Sequence, residues 1–110
     1  MNHDLYLKAQ VKQILKVVQE TAPGRSVELR IPPFAAIQCV GGSTHRRGTP
    51  PNVVEMSAET LLKILENSIR WEQYCDVRSI SASGTNSNLG NLFAETSKLM
   101  NSEVRSENGE

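Results

Sequence analysis

The sequence predicts an α+β domain: a small mixed sheet of about four to five strands, covered by helices on one face. Three observations carry that expectation. Apolar residues recur at helical spacing in some segments and alternate with polar residues in others, in the order α-β-β-β-α-(α)-β-α. Turn residues at Pro23-Gly24, Pro32-Pro33 and Gly84 punctuate those segments. A chain of 110 residues also holds one core, with no room for a second.

Each element has its own warrant. In residues 4–20, Leu7, Val11, Ile14 and Val18 recur at helical spacing, with Lys8, Lys12 and Lys16 on the other side. Pro23-Gly24 stops this helix. Val27, Leu29 and Ile31 then alternate with Glu28 and Arg30, the pattern of a half-buried strand. Pro32-Pro33 turns the chain. Residues 34–40 are apolar on both faces apart from Gln38, which predicts a central strand packed on each side. Val53–Met56 is a short strand. Ser57 is a good N-cap for a helix over 58–67, with Met56 and Leu61 placed to pack as a hydrophobic staple. A short helix or turn covers 69–75, with Trp71 and Tyr74 on one side. Residues 77–83 alternate as a strand with one weakly apolar face, closed by Gly84. Leu89, Leu92, Phe93 and Thr96 then recur helically, with Ser87 or Asn86 as the cap. The domain is expected over 1–100, with residues 101–110 a polar, disordered tail.

Composition excludes several function classes. Twelve Lys/Arg balance twelve Asp/Glu, so no net field steers the chain onto nucleic acid or anionic membrane. The distribution is mildly skewed: seven cations against four anions in residues 1–55, five against eight in 56–110. No apolar run approaches the ~20 residues that cross a bilayer, and the first residues lack a signal peptide's cationic start and apolar core. A cytoplasmic protein without stable membrane insertion is expected. Cys39 and Cys75 read as reduced, small apolar residues. They have no histidine spacing that would make a metal site, and no cofactor is expected.

Most of the unusual chemistry lies in residues 41–52. Gly41, Gly42, His45, Arg46, Arg47, Gly48 and Pro50-Pro51 combine glycine freedom, proline rigidity and two guanidinium groups. Two readings stay open. Forked guanidinium donors beside backbone N–H groups suit a carboxylate or phosphate. Alternatively, this is a solvated basic loop whose arginines pair with Glu28 or Glu55. It is not a phosphate-binding P-loop, because the glycine spacing and the Lys-Ser/Thr are absent. Ser43 and Thr44 beside His45 do not make a triad, since sequence neighbours rarely adopt that geometry and no nucleophile elbow surrounds the serine. Asp4, Glu28, Glu55 and Asp76 are scattered, with no pair at a diagnostic spacing. The sequence supports no catalytic mechanism. A strand at 77–83 ending the sheet could pair with a second copy.

The stretch NVVEMSAETLLKILENSIRWEQYCDVRSISASGTNSNLGNLFAE resembles the C-terminal half of the sterol carrier protein type two family. That family shows a short strand, a capped Leu-rich helix, a second short helix, a strand ending in glycine and a final Leu/Phe helix. The stretch PGRSVELRIPPFAAIQCVGGSTHRRGTPPNVVE is similar to a short bacterial branch of the family, typical of actinobacteria. There the strand reads R-[IV]-P-P-[FY]-[AG]-A-[VI]-Q-C-V and the loop H-x-R-G-T-P-P-N-V-V-E. His45, Arg47, Gly48, Thr49, Pro50, Pro51 and Asn52 match the loop. The resemblance spans about residues 5–95.

The resemblance implies a sterol-carrier-like fold enclosing an apolar space that binds a sterol, fatty acyl chain or other lipid without catalysis. Phe34, Leu62, Leu65, Trp71, Leu92 and Phe93 would line the space, with His45, Arg46 and Arg47 meeting an anionic head group. The wider family has one more strand where residues 41–52 form only a loop, and it ends in an apolar helical segment where this chain reads NSEVRSENGE. A smaller or more open pocket is therefore expected. The alternative is a protein-interaction module with a filled core, whose basic loop contacts an acidic partner.

Overall fold

A computed structural model describes residues 3–41, 52–66, 71–76, 79–84 and 87–109, with Tyr74, Asp76 and 101–109 described by backbone only. The elements follow the predicted order: α1 (His3–Thr21), β1 (Val27–Ile31), β2 (Ala35–Cys39), β3 (Asn52–Met56), α2 (Ala58–Leu65), α3 (Trp71–Asp76), β4 (Ile80–Ser83) and α4 (Gly90–Gly109). The four strands form one mixed sheet in the order β2-β1-β3-β4, with β1 and β3 parallel and both outer pairs antiparallel.

One face of the sheet carries the core. Val27, Leu29 and Ile31 of β1, Val54 and Met56 of β3, and Cys39 of β2 are buried on it, together with Leu7, Val11, Ile14, Leu15 and Val18 of α1. Each fully buried aliphatic side chain is worth about 1.5–3 kcal/mol of transfer free energy. The opposite face is open. It presents Glu28 and Arg30 of β1, Ala36 and Gln38 of β2, and Glu55 of β3, as strand alternation requires.

Two expectations need correction. Residues 34–40 do not form a central strand, because β2 lies at the sheet edge beside β1. Its outward apolar residue is only the small, exposed Ala36, while α1 covers Ile37 and Cys39 from the other side. The cap of α4 is Asn88, whose Oδ1 accepts from the Gly90 N–H at 2.9 Å. Ser87 instead donates to the Gly84 carbonyl, and Asn86 lies outside the described residues. Helix α4 is described to Gly109. Its side chains beyond Met100 are outside the description. Extending a helix already nucleated costs far less than starting one, and Glu103, Arg105 and Glu107 are tolerant helix residues.

The remaining local signals hold. Ser57 Oγ accepts from the Thr60 N–H at 3.1 Å as the α2 N-cap, and the staple residues Met56 and Leu61 are both buried. Pro32-Pro33 joins β1 to β2 through a cis peptide bond. Among the described residues, no helix is long and apolar enough to cross a membrane.

Candidate functional site

The predicted lining residues divide between two places. Trp71 and Phe93 are buried, with ring centroids 5.9 Å apart and planes tilted by 37°. They meet because the first turn of α4 presses on α3: a methyl group at Gly90 would sit 3.2 Å from Trp71 Cβ. Leu62, Leu65 and Leu92 are half-buried and pack against the same core. Ser97 Oγ donates to the Leu65 carbonyl at 2.7 Å, tying α4 to the end of α2. Phe34 stands apart, after the diproline turn at the C-terminal end of β1.

Two clefts open elsewhere. The first, of about 250 Å³, lies between α1 and α4 and is lined by Tyr6, Ala9, Gln10, Gln13, Ile14 and Met100. The α1 residues fall at i, i+3, i+4, i+7 and i+8, one stripe along the helix. Ala9 leaves the space. Tyr6, Gln10 and Gln13 contribute uncharged polar groups that are not hydrogen-bonded among the described residues. The sequence offered one signal for this stripe: positions 6, 9, 10 and 13 of α1 bear no charge, although lysines recur beside them.

The second cleft, of about 560 Å³, is a shallow depression at the diproline end of the sheet, lined by Glu28, Arg30, Pro32, Pro33, Phe34, Ala35, Ala36 and Glu55. Parallel register sets Arg30 beside Glu55. Arg30 Nε donates to Glu28 Oε2 at 2.9 Å, and its Nη1 lies 3.9 Å from Glu55 Oε1. The hydrogen bond and charge of Glu28 raise the Arg30 pKa further, so the guanidinium stays charged. Sequence reasoning treated Glu28 and Glu55 as scattered; only the β1–β3 pairing brings them together. Both face Arg30 as ion-pair partners.

His45, Arg46 and Arg47 lie outside the described residues, but the root of their loop is well defined. The Ser26 N–H donates to the Val40 carbonyl at 2.9 Å, and Asn52 Nδ2 donates to the Ser26 carbonyl at 2.9 Å and to its Oγ at 3.3 Å. Both ends of the loop therefore meet at one residue. Strands β2 and β3 flank β1, so the segment joining them starts and finishes at the N-terminal end of β1, where Ser26 stands. Phe34 is at the other end of that strand. Glu28 and Glu55, the carboxylates considered as partners for the loop arginines, are engaged by Arg30.

A family model described as bacterial SCP ortholog matches residues 5–94. The chain belongs to that family. The match is to a sterol carrier protein-like family, as the strand and loop motifs led us to expect. The matched segment holds every residue of the sheet-end cleft and the α1 side of the helical cleft, whereas Met100, on the α4 side, lies beyond it. No curated protein matches the chain.

Two further groups of the chain bear on its chemistry. Neither Cys39 nor Cys75 is in a disulfide, and burial pushes the Cys39 thiol up to about 11. Such a thiol is a weak nucleophile at neutral pH. Among the described residues, no group of three His, Cys, Asp or Glu side chains could hold a metal ion.

Proposed function

We propose that this chain is a non-catalytic cytoplasmic carrier or binding module for an apolar or amphipathic ligand such as a fatty acyl chain, sterol-like molecule or other lipid. The observation that carries the reading is the cleft between α1 and α4. Its apolar wall of Ala9, Ile14 and Met100 with a few uncharged polar groups is the composition of ligand sites. At about 250 Å³ it sits just below the usual ~300–1,000 Å³, which favours one acyl chain over a fused-ring ligand. A longer tail would have to enter the core beyond this cleft, where half-buried Leu62, Leu65 and Leu92 would yield before the buried Trp71 and Phe93, and Phe34 would serve the second cleft. An anionic head group would be met by His45, Arg46 and Arg47.

A fluorescent fatty-acid analogue should bind saturably. Ala9→Trp, on an exposed stripe of α1, should fill the cleft and weaken binding about tenfold or more, and Arg47→Ala should weaken a charged-head ligand specifically. Failure of every member of a panel of fatty acids, sterols and acyl thioesters to bind would overturn the reading. The filled contact between Trp71 and Phe93 favours one competitor: an interaction module with a closed core whose basic loop meets an acidic protein. Under that reading Arg46→Glu with Arg47→Glu would change the partners recovered while Ala9→Trp would not.

A further inference from the structure

The two rims of the sheet are finished differently. On β2, the Gln38 carbonyl accepts from Gln19 Nε2 of α1 at 3.1 Å, and Gln38 Oε1 accepts from Arg25 Nε at 3.1 Å. Side chains therefore occupy that rim. On β4, no described group hydrogen-bonds to the outer side of residues 80–83, and Ser81, Ala82 and Ser83 are all exposed.

Open edges are normally guarded by lysine, proline, an inward charge or a bulge. Apart from being only four residues long, the strand Ile80-Ser81-Ala82-Ser83 has none of these, and its register with β3 is unbroken from Met56↔Ile80 to Val53↔Ser83. The inner face is unfinished as well. Ala82 pairs with Val54, which is fully buried on the helix-covered side, yet Ala82 is itself exposed. The helical layer covers Ile80 but stops short of Ala82.

The residues also fit their own copy. Ser81-Ala82-Ser83 reads the same in both directions, so an antiparallel pairing about a two-fold axis at Ala82 sets each Ser81 opposite the partner subunit's Ser83. Hydroxyl then faces hydroxyl at cross-strand distance on the open face, and methyl faces methyl on the inner face. The strand bears no charge to repel its own image, the condition a self-complementary interface must meet. We propose that the chain forms a symmetric dimer by antiparallel pairing of β4 with β4 of a second copy, giving a continuous eight-stranded sheet. This pairing does not depend on the ligand reading above.

Sedimentation of the full chain over roughly 1 μM to 1 mM, the range suited to a small interface, tests it. The wild type should dimerise. Ser81→Lys with Ser83→Lys, and separately Ser81→Glu with Ser83→Glu, should each weaken dimerisation roughly 2- to 30-fold, because like charges then stand opposite one another. An equimolar mixture of these two variants should recover the dimer. Ser81→Lys with Ser83→Glu should dimerise on its own, since the Ala82 axis sets each lysine against a glutamate. A wild type that is monomeric throughout, a doubly lysine variant as tightly dimeric as wild type, or a Lys/Glu variant as weak as the doubly lysine one would each overturn the proposal. Both positions changed in these tests are exposed, and circular dichroism checks that each variant folds.

Discussion

A methyl group added at Gly24 would lie 2.3 Å from the Val40 carbonyl oxygen, on backbone at φ +149°. Val40 is itself held at φ 65°, with its N–H donating to the Ala22 carbonyl at 2.7 Å and its carbonyl accepting from Ser26. The turn after α1 and the exit of β2 are thus pressed together, and neither backbone can retreat. Gly24→Ala should cost about 1–3 kcal/mol or more in a urea-unfolding measurement. Gly41→Ala is the control, because its nearest neighbour would be the Pro23 carbonyl oxygen at an ordinary 3.6 Å; it should stay within about 0.5 kcal/mol. Equal losses for both variants would show that the close approach at Gly24 is not what limits the site. Pro23-Gly24 was legible in the sequence as a helix stop. The contact with Val40, sixteen positions on, was not, because it depends on where β2 returns.

Among the elements, α2 is the one whose every boundary was written locally. Its cap, staple and apolar stripe lie within ten residues of one another, so no distant contact could overrule them. Ser57→Ala removes the acceptor for the Thr60 N–H and should cost about 1 kcal/mol, read as a lower urea midpoint with unchanged slope. No loss would mean that Thr60 is satisfied without the cap. The strands teach a different lesson. Alternation in β1 and double-sided apolarity in β2 report which faces are covered, not where a strand stands across the sheet. The alternating strand proved central, because its open face is wet, and the more apolar one proved to be an edge shielded by α1. The candidate cleft was less legible still: Tyr6, Ala9, Gln10 and Gln13 gain meaning only once α4 lies alongside α1.

At the scale of the whole molecule, one sheet face, three longer helices and a single core were readable from periodicity, because burial of that face is demanded wherever the strands pair. Cys39 sits in that core at 0 % exposure, which links its chemistry to global stability. Below pH 9 the thiol is neutral in folded and unfolded chains alike. Between its ordinary 9.0 and about 11 the unfolded chain releases the proton while the native one retains it, so stability falls as pH rises through that window. The unfolding free energy should drop by about 1 kcal/mol more between pH 8 and 10 in the wild type than in Cys39→Ala. Parallel pH profiles for the two would remove Cys39 from the account.

The meeting of both loop ends at Ser26 has a consequence for how such a chain can diversify. Loop-closure entropy grows only logarithmically, by about 0.6 kcal/mol for each doubling of length, and here Val40 and Asn52 both hydrogen-bond to Ser26 at the closing point. Insertions or wholesale exchange of that segment would leave the strand register untouched. The Ser26 junction therefore works as a splice point, at which a binding sequence can be replaced without renegotiating the fold beneath it.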